Sequence, residues 1–235
     1  MRETGPEPHE AAERRSRHAQ SRARMVEEQL VARGIADPRV LEAMRAVPRE
    51  AFVAEWLQGD AYADRPLPIE SGQTISQPYI VALMVEAARL APGDRALEIG
   101  AGSGYAAAVM ARLAKEVVAI ERHPPLAALA AERLRTLGID NVEVRCADGS
   151  AGCPERAPFD AILVAASGPR VPRALIEQLA PGGRIVMPVG ARHEFQRLVR
   201  VTRLPGGGER EETLCGVAFV PLIGEEGWPD APAEP

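Results

Sequence analysis

An α/β fold with a doubly wound, mostly parallel sheet and N-terminal helices is predicted by three observations. From residue 95 onward, short β-rich runs alternate with helix-length segments. The first run ends in a glycine-rich turn, and the next two end beside Glu121 and Asp148. These strand ends fall on one edge of such a sheet, the carboxyl edge, where doubly wound folds bind ligands.

The strands drawn from these runs are 96–99, 117–120, 142–145, 161–165 and 184–188. Helices fit the intervals at 105–113, at 126–137 before Gly138, and at 173–179 before Pro181-Gly182-Gly183. Each crossover is long enough for a right-handed connection. Runs 197–203 and 217–222, joined through Gly206-Gly207-Gly208, predict an antiparallel hairpin closing one sheet edge.

Ahead of the sheet, residues 25–34 read as a helix stopped by Gly34. Asp37-Pro38 supplies the N-cap and first position of a helix over 39–46. A polar stretch, residues 71–79, leads into an apolar helix over 80–90. Residues 1–24 are rich in arginine and glutamate with little apolar surface, and read as a flexible tail. Residues 224–235, acidic and proline-rich, read as a frayed C-terminal tail. Residues 25–223 form one domain, divided into a helical part, 25–92, and a sheet core, 93–223.

The 235 residues suffice for a single sizeable core. A net charge of −5 gives no general field for holding nucleic acid, so no nucleic-acid partner is expected. The three cysteines have no C-x-x-C spacing and no nearby histidine, which argues against structural zinc and a disulfide framework. No uncharged apolar run approaches the roughly 18 residues of a membrane span. These features predict a cytoplasmic monomer without a membrane partner or a metal.

The turn Glu98-Ile99-Gly100-Ala101-Gly102-Ser103-Gly104-Tyr105 joins a strand to a helix and lets a ligand approach the backbone. Its spacing is G-x-G-x-G, whereas dinucleotide dehydrogenases favour G-x-G-x-x-G. The plain alternative is a tight strand-to-helix corner. Glu121, at the next strand end, suits both ribose hydroxyls of an adenosine, or is an exposed strand-end charge. Asp148 suits an adenine amino group and Gly149 lets a flat ring lie close, or the two make an ordinary turn. Taken together, the three strand ends resemble the S-adenosylmethionine site of class I methyltransferases.

The stretch Ser71-Gly72-Gln73-Thr74-Ile75-Ser76-Gln77-Pro78-Tyr79 makes the resemblance specific. With 72–82, the Gly100 loop, 157–160, 178–190 and 219–222, the chain resembles the protein-L-isoaspartate (D-aspartate) O-methyltransferase family over residues 20–228. That resemblance implies a Rossmann-like, seven-stranded sheet with an unusual order of its last two strands. It implies methylation of the free carboxylate of L-isoaspartyl, and less readily D-aspartyl, residues in damaged proteins and peptides. The ester then closes to a succinimide, whose hydrolysis returns part of the material to aspartate. S-adenosyl-L-methionine is the implied donor and S-adenosyl-L-homocysteine the product.

By the same resemblance Ser76 is the active-site serine and touches the cofactor, and Gln73, Thr74 and Ile75 fold over it. Gly100, Gly102 and Gly104 approach its methionine part, with Glu98, Ala101 and Ser103 in the same binding set. Glu121 holds the ribose, Asp148 and Gly149 frame the adenine, and Pro221-Leu222 leads a C-terminal segment back to the site. Where the family often has Thr-Ala-Ala, this chain has Ala165-Ala166-Ser167, which moves a hydroxyl by two places. Ala147 replaces a common glycine.

An acceptor carboxylate with a pKa of about 4 is already ionised at neutral pH, so Ser76 is assigned to orienting it. As a plain alternative Ser76 is an N-cap for the helix that follows. A hydrolase is disfavoured, because none of the four histidines sits in a recognisable nucleophile elbow. Three alternatives stay open: a carboxyl methyltransferase for a dedicated partner, a cofactor-binding scaffold without turnover, and a nicotinamide dehydrogenase.

Overall fold

The computed structural model describes residues 8–192 and 194–230. Helix α1, Pro8–Arg24, is an arginine-rich segment with no apolar stripe. Its composition predicts a flexible tail. Polar contacts seat it instead: Arg22 donates to the Tyr62 hydroxyl at 3.1 Å, and His18 and Arg22 both face Glu50 at 3.5 and 3.7 Å. The remainder of that expected tail, residues 1–7, lies outside the described residues.

From α1 the chain continues in a wide π-type turn, Met25–Leu30, and a 3-10 turn, Val31–Arg33, to Gly34, whose φ of 93° ends the helical run. Helix α2, Pro38–Ala46, begins as expected, with the Asp37 carboxylate accepting the Arg39 amide at 2.9 Å. A two-stranded ribbon of β1, Leu67–Pro68, and β2, Thr74–Ile75, follows. Helix α3, Pro78–Ala88, starts at a proline and is apolar on most of its circumference, because the sheet lies on one side and the N-terminal helices on the other.

The sheet core alternates as the pattern predicts: β3 Arg95–Ile99, α4 Tyr105–Ala111, β4 Glu116–Glu121, α5 Pro124–Thr136, β5 Val142–Cys146, β6 Phe159–Val164, α6 Arg173–Glu177 and β7 Leu179–Val189. Strands β8, Gln196–Arg203, and β9, Glu209–Val217, complete a seven-stranded sheet of order β5-β4-β3-β6-β7-β8-β9. The first five strands pair in parallel, while β8 runs antiparallel to both neighbours. Strand parity divides the core. Ala96, Ala119 and Leu163 face α3, α4 and the N-terminal helices, whereas Leu97, Ile120, Ile162 and Met187 face α6 and the C-terminal segment.

One strand assignment is corrected. The hairpin partner of β8 is β9, not residues 217–222. Gly207 and Gly208, at φ of 90° and 81°, close the turn so tightly that Arg203 pairs directly with Glu209. The charges of β9 disguise it as loop, yet they suit an exposed edge, and Glu212 pairs with Arg200 at 2.8 Å. Beyond Val217 the chain leaves the sheet and crosses its carboxyl edge. There the Ser167 amide donates to the Val220 carbonyl, and the Leu222 amide to the Ser167 carbonyl, at 2.7 and 2.8 Å.

The C-terminal segment is also more ordered than its composition predicts. Over 224–230 it hydrogen-bonds to β5's exit turn: the Glu225 amide donates to Asp148 at 2.9 Å and the Glu226 amide to the Ser150 hydroxyl at 3.1 Å. Arg122 bonds both Asp230 oxygens at 2.9 and 3.0 Å. Residues 231–235 of the expected tail lie outside the described residues.

Candidate active site

The carboxyl ends of β3, β4 and β6 open into a cavity roofed by β2 and the returning C-terminal segment. Of the residues predicted for the site, Gln73, Thr74, Ile75, Ser76, Glu98, Gly100, Ala101, Ser103, Glu121 and Gly149 line it together. Gly102, Gly104 and Asp148 do not. Gly104 caps α4 at φ 89°, where a Cβ would meet the Ala130 methyl of α5 at 3.2 Å, so its bareness serves helix packing. Gly102 contributes its backbone, with its amide donating to Glu121 at 2.8 Å.

Glu121 is 4% exposed, and its second oxygen accepts the His123 amide at 2.9 Å. A carboxylate has about four acceptor positions, so two remain for the hydroxyls of a ligand. Glu98 lies on the neighbouring strand. In the β3–β4 register it is opposite Ala119, two residues before Glu121, so both carboxyls project from the same face of the sheet. Glu98 is 1% exposed and its Oε2 has no partner among the described residues. Burial pushes its pKa well above the ordinary carboxylate value, and the Glu121 charge pushes it further, while the Ala107 amide pulls the other way.

Asp148 is occupied otherwise than the sequence suggests. Its two oxygens accept the amides of Ser150 and Glu225 at 2.8 and 2.9 Å. Burial raises its pKa, but the hydrogen bonds from Glu225 and Ser150 outweigh that and leave it lowered. Its effect on the cavity therefore passes through Gly149, where a Cβ would come within 2.5 Å of the Ile99 side chain.

Ser76 is half-buried, and it is not the cap of α3: Gln77 holds that position without a side-chain bond. The Ser76 carbonyl instead accepts Nη2 of Arg49 at 2.8 Å. A second cavity adjoins the first and shares Thr74, Ser76, Ala165, Val220 and Pro221 with it. It continues past Phe219 to Phe195, which is 87% exposed at its edge. Ser167, the displaced hydroxyl, is 1% exposed and points toward the Val220 carbonyl at 3.3 Å, so it ties down the C-terminal segment and is not a lining group.

Sequence reasoning missed Arg122, His123 and Ile223, which also line the first cavity together with Ala165, the first residue of the departing Ala165-Ala166-Ser167 stretch. The first two directly follow Glu121, and that adjacency was the available signal.

The family model described as protein-L-isoaspartate(D-aspartate) O-methyltransferase matches residues 20–227. The chain belongs to that family. A member from Rhodopseudomonas palustris (strain HaA2), protein-L-isoaspartate O-methyltransferase 1, is 60% identical over 217 residues, covering 92% of this chain and 89% of the relative. A protein-L-isoaspartate O-methyltransferase 2 from Pelobacter propionicus is 57% identical over 204 residues, 87% of this chain and 91% of its own. Among solved structures, a protein-L-isoaspartate O-methyltransferase superposes with a TM-score of 0.79 at 30% identity, covering 88% of this chain and 67% of that one. A putative Plasmodium falciparum member of the family, solved in complex with S-adenosyl-L-homocysteine, gives a TM-score of 0.74 at 29% identity over 88% of this chain and 98% of its own. The seven-stranded methyltransferase sheet is thus the family's architecture, here with its last three strands in sequential order.

Proposed function

We propose that this protein transfers a methyl group from S-adenosyl-L-methionine to the free carboxylate of L-isoaspartyl, and less readily D-aspartyl, residues in damaged proteins and peptides, which opens their repair through a succinimide. The observation that carries this reading is the meeting of the two cavities at Ser76 and Ala165. One has the groups for a positively charged adenosyl ligand, and the other opens beside it for a peptide.

The residues of the first cavity fit such a cofactor. Glu98 lines it and carries a buried oxygen without a partner among the described residues, Glu121 retains acceptor positions for ribose hydroxyls, and the bare Gly149 lets Ile99 keep its place in the cavity wall. The bound cofactor supplies an electrophilic methyl group on a sulfonium. Ser76 holds the acceptor carboxylate, which needs no base because it is already ionised at neutral pH. Among the described residues the Ser76 hydroxyl makes no hydrogen bond that would compete. Ile75, 4% exposed, lines the first cavity and Val220 and Pro221 line both, an apolar wall against which alignment of the reactants and exclusion of water by the bound ligands supply the rate enhancement.

In our reading the protein acts as a cytoplasmic monomer. Among the described residues no helix is long and apolar enough to cross a membrane. Replacing Ser76 by Ala tests the site: kcat on an isoaspartyl peptide should fall about 10- to 100-fold while the affinity for S-adenosyl-L-homocysteine changes less than about threefold. A wild-type kcat in that variant would remove Ser76 from the acceptor site. Displacement of S-adenosyl-L-homocysteine by NAD would favour the dehydrogenase alternative.

A further inference from the structure

Arg49 is 0% exposed, lines neither cavity, and bonds the main chain of Ser76, which lines both. Its Nε donates to the Ala61 carbonyl at 2.7 Å and its Nη2 to the Ser76 carbonyl at 2.8 Å. Its guanidinium carbon stands 4.8 Å from the centre of the Tyr105 ring, and Tyr105 lines the first cavity. Nη1 has no partner, and among the described residues no carboxylate lies within ion-pair distance of the side chain. Glu50, its sequence neighbour, is turned to Tyr62, Arg22 and His18.

A buried cation with neutral partners is costly to a fold. Arg49 spans main-chain carbonyls and the neutral Tyr105 side chain, and a neutral side chain of similar volume would fill the same space. The second cavity suggests what the charge is for. Among the described residues no lysine or arginine lines it, and the one charged lining residue is Glu194, of the same sign as the acceptor. An anionic carboxylate entering there lacks a compensating charge at the surface of the cavity. The guanidinium bonded to the Ser76 peptide is the cation that the fold places behind that surface, in an interior where Coulomb interactions are less screened.

We infer that Arg49 is a positioning residue for the acceptor: it fixes the Ser76 peptide across the two cavities, and its buried charge favours a carboxylate there over a neutral group. The inference rests on the isoaspartyl-carboxylate reading above. It separates two functions of one side chain, since the hydrogen-bonding fork sets the position of Ser76 and the charge sets the preference for an anion.

The test uses the full-length protein and three variants, R49M, R49Q and R49K. KM and kcat are measured on a synthetic isoaspartyl peptide, S-adenosyl-L-homocysteine affinity by calorimetry, and inhibition by the isoasparaginyl form of the peptide. R49M and R49Q should raise KM tenfold or more, leave S-adenosyl-L-homocysteine affinity within threefold, and narrow the discrimination between the charged and neutral peptides. R49K keeps the charge and loses the fork, so it should keep KM within threefold and lower kcat. A KM within twofold of wild type in R49M or R49Q overturns the inference. So does a parallel loss of peptide and cofactor affinity, which a merely structural role would give. Where the neutral variants do not fold, R49K decides: a tenfold rise in its KM overturns the inference. A wild-type protein that binds S-adenosyl-L-homocysteine but leaves the isoaspartyl peptide unmethylated overturns the functional reading and the inference with it.

Discussion

At the scale of single residues, the three site carboxylates differ: Glu121 and Asp148 each accept two main-chain amides, whereas Glu98 keeps an oxygen without a partner among the described residues. The raised pKa of Glu98 makes it a liability in the free protein. Its folded pKa lies above the unfolded value of about 4.3, so its contribution to stability is fully present below that pH and is lost as pH rises toward the folded value. E98Q removes this loss. Urea denaturation of the cofactor-free protein should give variant and wild type similar stability near pH 4, with the variant gaining as pH rises above the ordinary carboxylate range. A difference that stays constant with pH would mean that Glu98 does not titrate in this range. The residue was legible as part of a glycine-turn motif, but its orphaned oxygen was not, because that depends on burial with no donor from other segments within reach among the described residues. Arg49 was still less legible: its partner Ser76 lies 27 positions away, and nothing in the local sequence marks an arginine as buried.

At the scale of elements, strands β3, β4, β6 and β7 were readable because parallel strands buried on both faces are short apolar runs bounded by turns, and the edge strand β5 by its alternation of valines with charged residues. Two elements escaped that logic. Helix α1 is held by polar contacts to Tyr62 and Glu50, so it lacks the apolar stripe that marks a packed helix. Strand β9 is an edge whose charges pair across to β8. The C-terminal segment belongs with them, since its order comes from main-chain amides donating to Asp148 and Ser150. D148N weakens an acceptor of the Glu225 amide, and one charge-assisted bond controls local opening by about tenfold. A glutamate-specific protease should cleave at Glu225 and Glu226 about tenfold faster in D148N, with the midpoint of global unfolding little changed. Equal cleavage rates would show that Asp148 does not hold the segment.

At the scale of the whole molecule, the doubly wound sheet brings three strand ends to one edge, and the N-terminal helices and C-terminal segment add the walls that a bare sheet lacks. The cofactor half of the site was legible because its residues sit at strand ends fixed by the βα pattern. The acceptor half was legible only through the family resemblance, since its walls come from segments far apart in the chain, residues 66–80, Ala165 and 194–221. With a net charge of −5 the molecule has no general attraction for anions, so recognition of a carboxylate is a local property of the junction at Ser76. The most direct test is methyl transfer from labelled S-adenosyl-L-methionine to an isoaspartyl peptide, with the identical-sequence aspartyl peptide as control and methanol released by base as the readout. Label on the isoaspartyl peptide alone is the predicted result, and label on neither peptide, with S-adenosyl-L-homocysteine still bound, would contradict it.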